Sequence, residues 1–292
     1  MQVAFETASE LSNAIDGLLK EAQAIMYYQL DSVAPFHDFQ SHNGIEMYYI
    51  WQGLGSYLVG NQVYTLQPGT LIITKPYIAH KVLQTKPDLG VCRHNFIWHE
   101  NLLACYRFDC PDANLLKRTN AESICIYSSG SEREMIESIF YLANEELKNK
   151  SSGYSDILRS LIVQLLTICS RIYSRNKPDE LPRPDTNTLP PEIVFLIQYI
   201  GSRFQQQLSL EKLSELVHMN PTYMTTLFRK HTGFSIGKFI IQKRIHHAKK
   251  MLIETSMPIG MIAQESGFTY SSHFIKMFKQ NVGLTPEAFR MR

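Results

Sequence analysis

The chain has 292 residues, 44% hydrophobic and 19% charged, a composition that excludes an intrinsically disordered polymer and leaves room for two cores. Its net charge of +2 conceals an asymmetry: through Leu189 there are 16 Lys/Arg against 21 Asp/Glu, and from Pro190 onward 13 against 6. The basic end also carries five of the ten histidines, so its charge suits a polyanion, whereas the acidic remainder excludes one.

The five cysteines (Cys92, Cys105, Cys110, Cys125, Cys169) are odd in number and form no CxxC pair, a usage that fits reduced thiols in a cytoplasm. Met1 to Glu10 lacks a basic region followed by an apolar run, which predicts no signal peptide. No stretch reaches the roughly 18 uninterrupted apolar residues of a membrane span. The expected location is cytoplasmic, with no membrane partner.

From about Ile25 to Ile126 the sequence is rich in Tyr, Phe, Val and Ile in short runs broken by turn signals at Gln52-Gly53, Val59-Gly60-Asn61 and Gln67-Pro68-Gly69. Met47–Trp51, Tyr57–Val59, Val63–Leu66 and Leu71–Thr74 are predicted as consecutive strands at the spacing of a barrel or sandwich.

At Ser131 the pattern changes to helical. Glu132, Glu134 and Glu137 suit a helix's first turns, and Met135, Ile136, Ile139, Phe140 and Leu147 form an apolar stripe. A second helix is predicted over Ser155–Tyr173. Its stripe (Ile157, Leu158, Leu161, Ile162, Leu165, Leu166, Ile168) is wider than one neighbour needs. It either packs entirely on the β part or leaves a portion for a second subunit, which would make the protein a homodimer. Residues 176–191 hold five of the thirteen prolines and read as an exposed linker.

The last hundred residues carry one pattern twice, about fifty residues apart. Leu210, Leu213, Ser214, Thr222, Tyr223, Leu227, Phe228, Arg229, Gly233, Ser235 and Phe239 are matched by Ile259, Ile262, Ala263, Ser271, Ser272, Met277, Phe278, Lys279, Gly283, Thr285 and Phe289. A short apolar helix, a tight turn, and a second helix opening in hydroxyl residues and closing in a basic residue and Gly is the sequence form of a helix-turn-helix. Asn220-Pro221 starts the first reading helix with a cap and a first-turn proline. Tyr223, Met224, Leu227 and Phe228 are predicted to face the core, as are Phe274, Met277 and Phe278 in the second copy. That leaves Thr222, Thr225 and Thr226 in the first copy, and Ser271, Ser272, His273 and Lys276 in the second, to contact base edges; Arg229, Lys230 and Lys279 are placed for phosphates. The same hydroxyls and cations could merely cap helices and complement their dipoles, but duplication within a basic surround favours double-stranded DNA as partner. Ser235–Glu254 is predicted to form a long helix joining the two units, with Ile241, Ile245, Ala248 and Leu252 along its buried side and Lys243, Arg244, Lys249 and Lys250 on others. Gly267 is predicted to need a positive φ at the second turn, where the first copy has His218.

Arg244-Ile245-His246-His247-Ala248, Ile262-Ala263-Gln264-Glu265-Ser266-Gly267-Phe268, Ser272-His273-Phe274, Phe278-Lys279, Gly283-Leu284-Thr285-Pro286 and Phe289-Arg290 together resemble the DNA-binding domain of the AraC family of bacterial transcription regulators. The resemblance covers residues 190–292. The run His42 to Ile50, the turn at Gly53–Gly55, Leu66 to Ile73 and Pro76 to His80 are similar to the cupin-like sensor half of that family. Cupin enzymes hold a metal with two His, a Glu and a later His; His42, Glu46 and His80 fall on three such positions and Gln40 on the fourth. The family's habit of binding organic effectors implies no metal and no cofactor here, with His42, Glu46, His80, Tyr48 and Trp51 contacting a small-molecule effector, a carbohydrate by family analogy.

The resulting expectation is an α+β two-domain chain. A cupin-like β-barrel sensor (1–130) is followed by a helical dimerisation segment (131–175), a linker (176–191) and an all-α tandem helix-turn-helix domain (192–292). Its expected function is that of a sequence-specific transcription regulator, an activator working with RNA polymerase, and not an enzyme. The alternative is a metal-dependent cupin enzyme carrying a DNA-binding tail.

Overall fold

The computed structural model of the chain describes residues 8–30, 39–85, 91–108, 115, 121–175 and 189–291. Cys110 and most of the proline-rich segment 176–191 lie outside the described residues. Helix α1 (Ala8–Ala22) leads into β1 (Ala24–Leu30). Then come β2 (Ile45–Gln52), β3 (Gly55–Val59), β4 (Gln62–Leu66), β5 (Thr70–Thr74), β6 (His80–Thr85), β7 (Cys92–Trp98) and β8 (Ser123–Tyr127). These strands form two antiparallel sheets, ordered β1-β7-β2-β5-β8 and β4-β3-β6. The four strands predicted from turn spacing are β2 to β5, each starting slightly earlier than expected.

Strand alternation explains why β2 is buried on both faces. Met47 and Tyr49 point outward into a core shared with α2 (Gly130–Asn149) and α3 (Tyr154–Arg175), while Tyr48 and Ile50 point inward to meet Tyr57, Val59, Leu66 and Ile72. The helix-facing core takes Ile136, Ile139 and Phe140 from α2 and Leu158, Leu161, Ile162, Leu165 and Leu166 from α3. Each such side chain contributes roughly 1.5–3 kcal/mol by leaving water. By length and composition α3 could cross a membrane, but its stripe is spent on the five-stranded sheet and α2. Of the residues expected to reach a second subunit from this helix, only Ile157 is exposed; the exposed apolar side chains Met135, Tyr141 and Leu142 lie on α2.

The C-terminal part contains α4 (Pro191–Arg203), α5 (Leu210–Leu216), α6 (Pro221–Thr232), α7 (Ile236–Glu254), α8 (Ile259–Glu265), α9 (Ser271–Val282) and α10 (Pro286–Arg290). Helix α7 is the predicted connector, and Ser235 Oγ caps it by accepting from Lys238 N at 3.3 Å. Its first half gives Ile236, Phe239 and Ile240 to a core with Met224 and Phe228; its second half gives Ile245, Ala248 and Leu252 to a core with Phe274 and Phe278. Lys243, expected on an outer side, is instead only 8% exposed. It lies on a third side of α7, the one turned toward the β part.

The two parts share a core. The three-stranded sheet has an outer apolar face, and Leu58 and Val63 there are covered by Leu196, Ile197 and Ile200 of α4. Phe39 stacks on Phe234 with centroids 4.8 Å apart. Lys81 of β6 donates to the Thr232 carbonyl at 3.1 Å, at the C-terminal end of α6, with its ammonium over the Phe234 ring. Lys249 donates to Ser41 Oγ at 3.1 Å. At the tip of the β3–β4 hairpin the approach is so close that a Cβ on Gly201 would collide with Asn61.

On the helix-facing side of β7, His94 stacks on Tyr28 at 4.3 Å, and its Nδ1 accepts from Gln29 N at 2.9 Å. Burial lowers its pKa to about 4, against a smaller upward pull from Glu137. In the unfolded chain the imidazole protonates near 6.5, so between about pH 6.5 and 4 the unfolded state binds the extra proton. Stability contributed by this neutral histidine is therefore present above that window and lost as the pH falls through it. On going from pH 7 to pH 5, His94→Gln should lose less stability than the parent protein in urea unfolding; an equal loss would assign the acid sensitivity elsewhere.

Candidate functional site

The two helix-turn-helix copies have the same turn. Met219 N donates to the Ser214 carbonyl at 3.0 Å in the first, and Phe268 N to the Ala263 carbonyl at 2.9 Å in the second. The preceding residue is left-handed in both, Gly267 with φ +86° and His218 with φ +52°. Each reading helix ends on a left-handed glycine, Gly233 or Gly283, whose N–H is accepted by the Arg229 or Lys279 carbonyl. Ser235 and Thr285 then cap the helices that follow.

The helix starts differ by one residue. Asn220 caps α6 directly after Met219, whereas Thr269 and Tyr270 intervene between Phe268 and α9. Buried Met224 therefore corresponds to Phe274, and Tyr223 to His273. Tyr223, expected in the core with Met224, Leu227 and Phe228, is instead 58% exposed. Its register with His273, counted back from the paired phenylalanines Phe228 and Phe278, was the available signal.

Thr222, Thr226, Ser271, Ser272, His273, Lys276, Arg229, Lys230 and Lys279 are all exposed, and Thr225 is half-buried. Both Thr225 and Thr226 donate their hydroxyl protons to the Thr222 carbonyl at 2.9 Å. Toward solvent they present lone pairs and methyl groups, which suits acceptance from a base or contact with a thymine methyl. Among the described residues neither Lys276 nor His273 makes a hydrogen bond, and the His273 ring is set edge-on to Phe268 at 5.7 Å.

A second polar cluster fills the interior between the sheets. Glu46 of β2 is 2% exposed; its Oε1 accepts from Asn95 Nδ2 at 2.8 Å, while its Oε2 faces His80 Nε2 at 3.2 Å and His42 Nε2 at 3.5 Å. Tyr48 and Tyr57 stack at 4.4 Å, and the Arg93 guanidinium lies 5.5 Å from the Tyr48 ring centre. Burial alone would raise the Glu46 pKa, but His80, His42 and Arg93 outweigh it and hold the carboxyl at about 2. Burial lowers the pKa of His80 and raises that of Tyr48 to about 12. The cluster thus contains a carboxylate beside neutral phenols.

Both ring nitrogens of His42, Glu46 Oε2, His80 Nε2 and Tyr48 OH are shut from solvent and make no hydrogen bond among the described residues. Glu46 Oε2 is nonetheless paired in charge with His80 and His42, which leaves His42 Nδ1 and Tyr48 OH as the groups without any partner there, at a cost of about 1–3 kcal/mol each. Donor atoms of His42, Glu46 and His80 lie within 4.8 Å of one another, and two imidazoles with a carboxylate fit a first-row divalent ion.

Of the expected effector residues, His42, Glu46, His80 and Tyr48 meet in this cluster. Trp51 does not: it sits at the strand end, 38% exposed, where its carbonyl accepts from Arg133. Residue 51 follows Ile50 in the alternation and points to the opposite face. Arg93 and Asn95 were missed, although two polar residues at period two inside a strand otherwise buried are a signal of an inward polar face.

Residues 25–93 match the model of an AraC-like ligand binding domain, and residues 213–292 match that of a helix-turn-helix domain. The chain belongs to the AraC family of transcriptional regulators, with an N-terminal ligand-binding part and a C-terminal DNA-binding part. It is 35% identical over 127 residues to the bifunctional transcriptional activator/DNA repair enzyme AdaA of Bacillus subtilis, covering 44% of this chain and 58% of that protein. To the transcriptional activator RhaR of an Enterobacter species it is 24% identical, covering 86% of each. Among solved structures, the C-terminal domain of the response regulator AraT from Geobacillus stearothermophilus is 29% identical, covers 35% of this chain and 86% of that one, and has a TM-score of 0.35. The chain spans 58% or less of the length of the first four curated relatives it matches.

The turns give a contrast in stability. Gly267→Ala should cost about 1–3 kcal/mol, since φ is positive and the new Cβ would lie 2.7 Å from Gln205 Cα. His218→Gly, at the equivalent left-handed position, should instead add about 0.5–1 kcal/mol by removing the steric penalty. Urea unfolding of both variants checks the pair; stabilisation by the first or destabilisation by the second would contradict the assigned turn strain.

Proposed function

We propose that this protein is a sequence-specific, effector-responsive transcription activator acting in the cytoplasm. The carrying observation is the pair of turns of equal geometry, each presenting an exposed polar helix face on one rigid connector. Thr222, Thr225, Thr226, Ser271, Ser272, His273 and Lys276 read bases, joined by Tyr223, while Arg229, Lys230 and Lys279 hold phosphates. Connected by α7, the two reading helices enter successive major-groove segments about 34 Å apart, or bend the duplex where that spacing is not met. RNA polymerase is the downstream partner of an activator of this kind.

The effector binds in the interior cluster on His42, Glu46, His80 and Tyr48, with Arg93 and Asn95. A carbohydrate suits these groups: the stacked faces of Tyr48 and Tyr57 match a sugar ring, and the carboxylate, imidazole and phenol atoms match its hydroxyls. The protein works as a homodimer through the exposed apolar residues of α2. Effector binding regulates by favouring one arrangement of the paired DNA-binding parts over another, which requires different affinities for the two.

A second reading rests on the three clustered donors His42, Glu46 and His80: a metal-dependent cupin enzyme with a DNA-binding tail. A divalent ion there would act as a Lewis acid on a bound oxygen. Metal analysis of the purified protein distinguishes the readings, because stoichiometric iron, manganese or zinc lost on His80→Ala supports the second.

For DNA, fluorescence anisotropy against the promoter regions flanking its own gene provides the test. Thr226→Ala and Lys276→Ala should each weaken cognate binding by about 1–3 kcal/mol and random-sequence binding much less, whereas Lys279→Ala should weaken both alike and reduce the salt dependence. Equal losses on both DNAs for all three variants would overturn the division between base and phosphate contacts.

A further inference from the structure

The two helix-turn-helix units are joined by α7, but they also touch directly. The segment that leads from Phe204, at the end of α4, into the first unit runs against the turn of the second. At Gly267 the approach is so close that a Cβ would lie 2.7 Å from Gln205 Cα and 2.8 Å from Gln205 O. Gln205 Nε2 donates to the Glu265 carbonyl at 3.0 Å, at the C-terminal end of α8. A positive φ alone does not demand glycine in these turns, since His218 occupies the equivalent left-handed position of the first copy. Glycine at 267 is required by the contact between the units as well.

Arg244 stands at this junction. On α7 it falls between the residues that anchor the first unit, Ile236, Phe239 and Ile240, and those that anchor the second, Ile245, Ala248 and Leu252. Its Nε donates to the Phe204 carbonyl at 2.8 Å and its Nη2 to the Gln206 carbonyl at 2.9 Å. The guanidinium carbon lies 5.7 Å from the ring centre of Phe268, in the second turn. Carbonyls at a helix end lack helical partners, and a planar fork of fixed N–H groups is the side chain suited to taking two of them at once. One turn along α7, the His247 ring meets that of Phe204 at 5.4 Å, and its Nδ1 is 3.3 Å from Ser266 Oγ. A helix anchored to separate units by its two halves can bend between them. Arg244 ties the end of α4, α7 and the second turn together at the point where that bending would occur.

We propose that Arg244 is a positioning residue: by clamping the segment that leads into the first unit onto the turn of the second, it fixes the separation and angle at which the two reading helices meet DNA. This role rests on the two-helix engagement proposed above as the protein's function. Arg244 acts through the two units and not on a base, so its effect lies in how strictly the spacing of a site is read. One base pair inserted between the two segments shifts the second by about 3.4 Å and turns it by about 35°. A clamped pair must meet that misfit by deforming the duplex, whereas an unclamped pair meets it by flexing.

The test uses the full chain and a duplex that the wild-type protein selects from a randomised library, with footprinting to define its protected blocks. Fluorescence anisotropy is measured on that duplex and on versions with one base pair inserted or removed between the blocks. The quantity read is the ratio of the two affinities, in which the charge lost from Arg244 cancels because it weakens binding to every duplex alike. Wild-type protein should lose about 10-fold or more on the shifted duplexes and Arg244→Met about 3-fold or less. A merely stabilising side chain would lower the Tm of Arg244→Met and leave the ratio at its wild-type value, which would overturn the clamp. A wild-type protein that protects one block, or binds all spacings equally, would overturn the two-helix engagement and the role of Arg244 with it. Should Arg244→Met not fold, Gln205→Ala, at an exposed side chain, takes its place. A smaller spacing penalty than the wild type's then supports the clamp, and an equal one overturns it.

Discussion

A single helix is buried on three sides, and most of the molecule is arranged by that constraint. Ile236, Phe239 and Ile240 bind α7 to the first helix-turn-helix, Ile245, Ala248 and Leu252 to the second, and Lys243 with His246 turns toward the sheets. Because an α-helix repeats every 3.6 residues, these three stripes can coexist only at fixed angles to one another. The relative orientation of the two reading helices is thus set by the order of side chains along nineteen residues rather than by loops. The third stripe is what makes the helix unusual. It carries ionisable groups where an apolar seam would have given simple adhesion, which places chemistry, not just contact, between the sensing and DNA-binding parts.

The outer face of the three-stranded sheet supplies the adhesion instead. Leu58 and Val63 belong to a strand pair whose inner residues already fill the interior, so the small sheet has two apolar faces and needs cover on both. Helix α4 provides it. The polar interior shows the opposite economy. Glu46 stays ionised although buried, held by imidazoles and Arg93, while several neighbouring donors and acceptors are left unmatched. Such a site is destabilising to the isolated fold, and its retention is intelligible if an occupant completes it.

Much of this was legible in the sequence because it follows from period. Strands β2 to β5 were bracketed by Gly and Pro turns, α2, α3 and α7 by their stripes, and the reading helices by Asn220-Pro221, Gly233 and Gly283. What escaped was tertiary. Lys243 looked like one more solvated cation, since nothing in a helical wheel announces that a second domain will lie on its polar side. Trp51 was assigned by its aromatic character, yet strand parity sends it outward. Tyr223 was counted as core among its apolar neighbours although its register with His273 places it outside, and Arg93 and Asn95 became meaningful only once β7 was registered against β2. Chemistry near the chain's own backbone was readable; chemistry made by distant segments meeting was not.

The contact of Gly201 with Asn61 carries a further implication. Backbone there approaches so closely that even one methyl group has no room, and the neighbouring Phe39–Phe234 stack and the Lys81 link to α6 leave little slack. Surfaces fitted this tightly do not slide by degrees; they are either seated or apart. Coupling between the halves would then take the form of a latch, with intermediate settings scarcely populated, and a regulator so built would answer its signal in steps rather than in proportion.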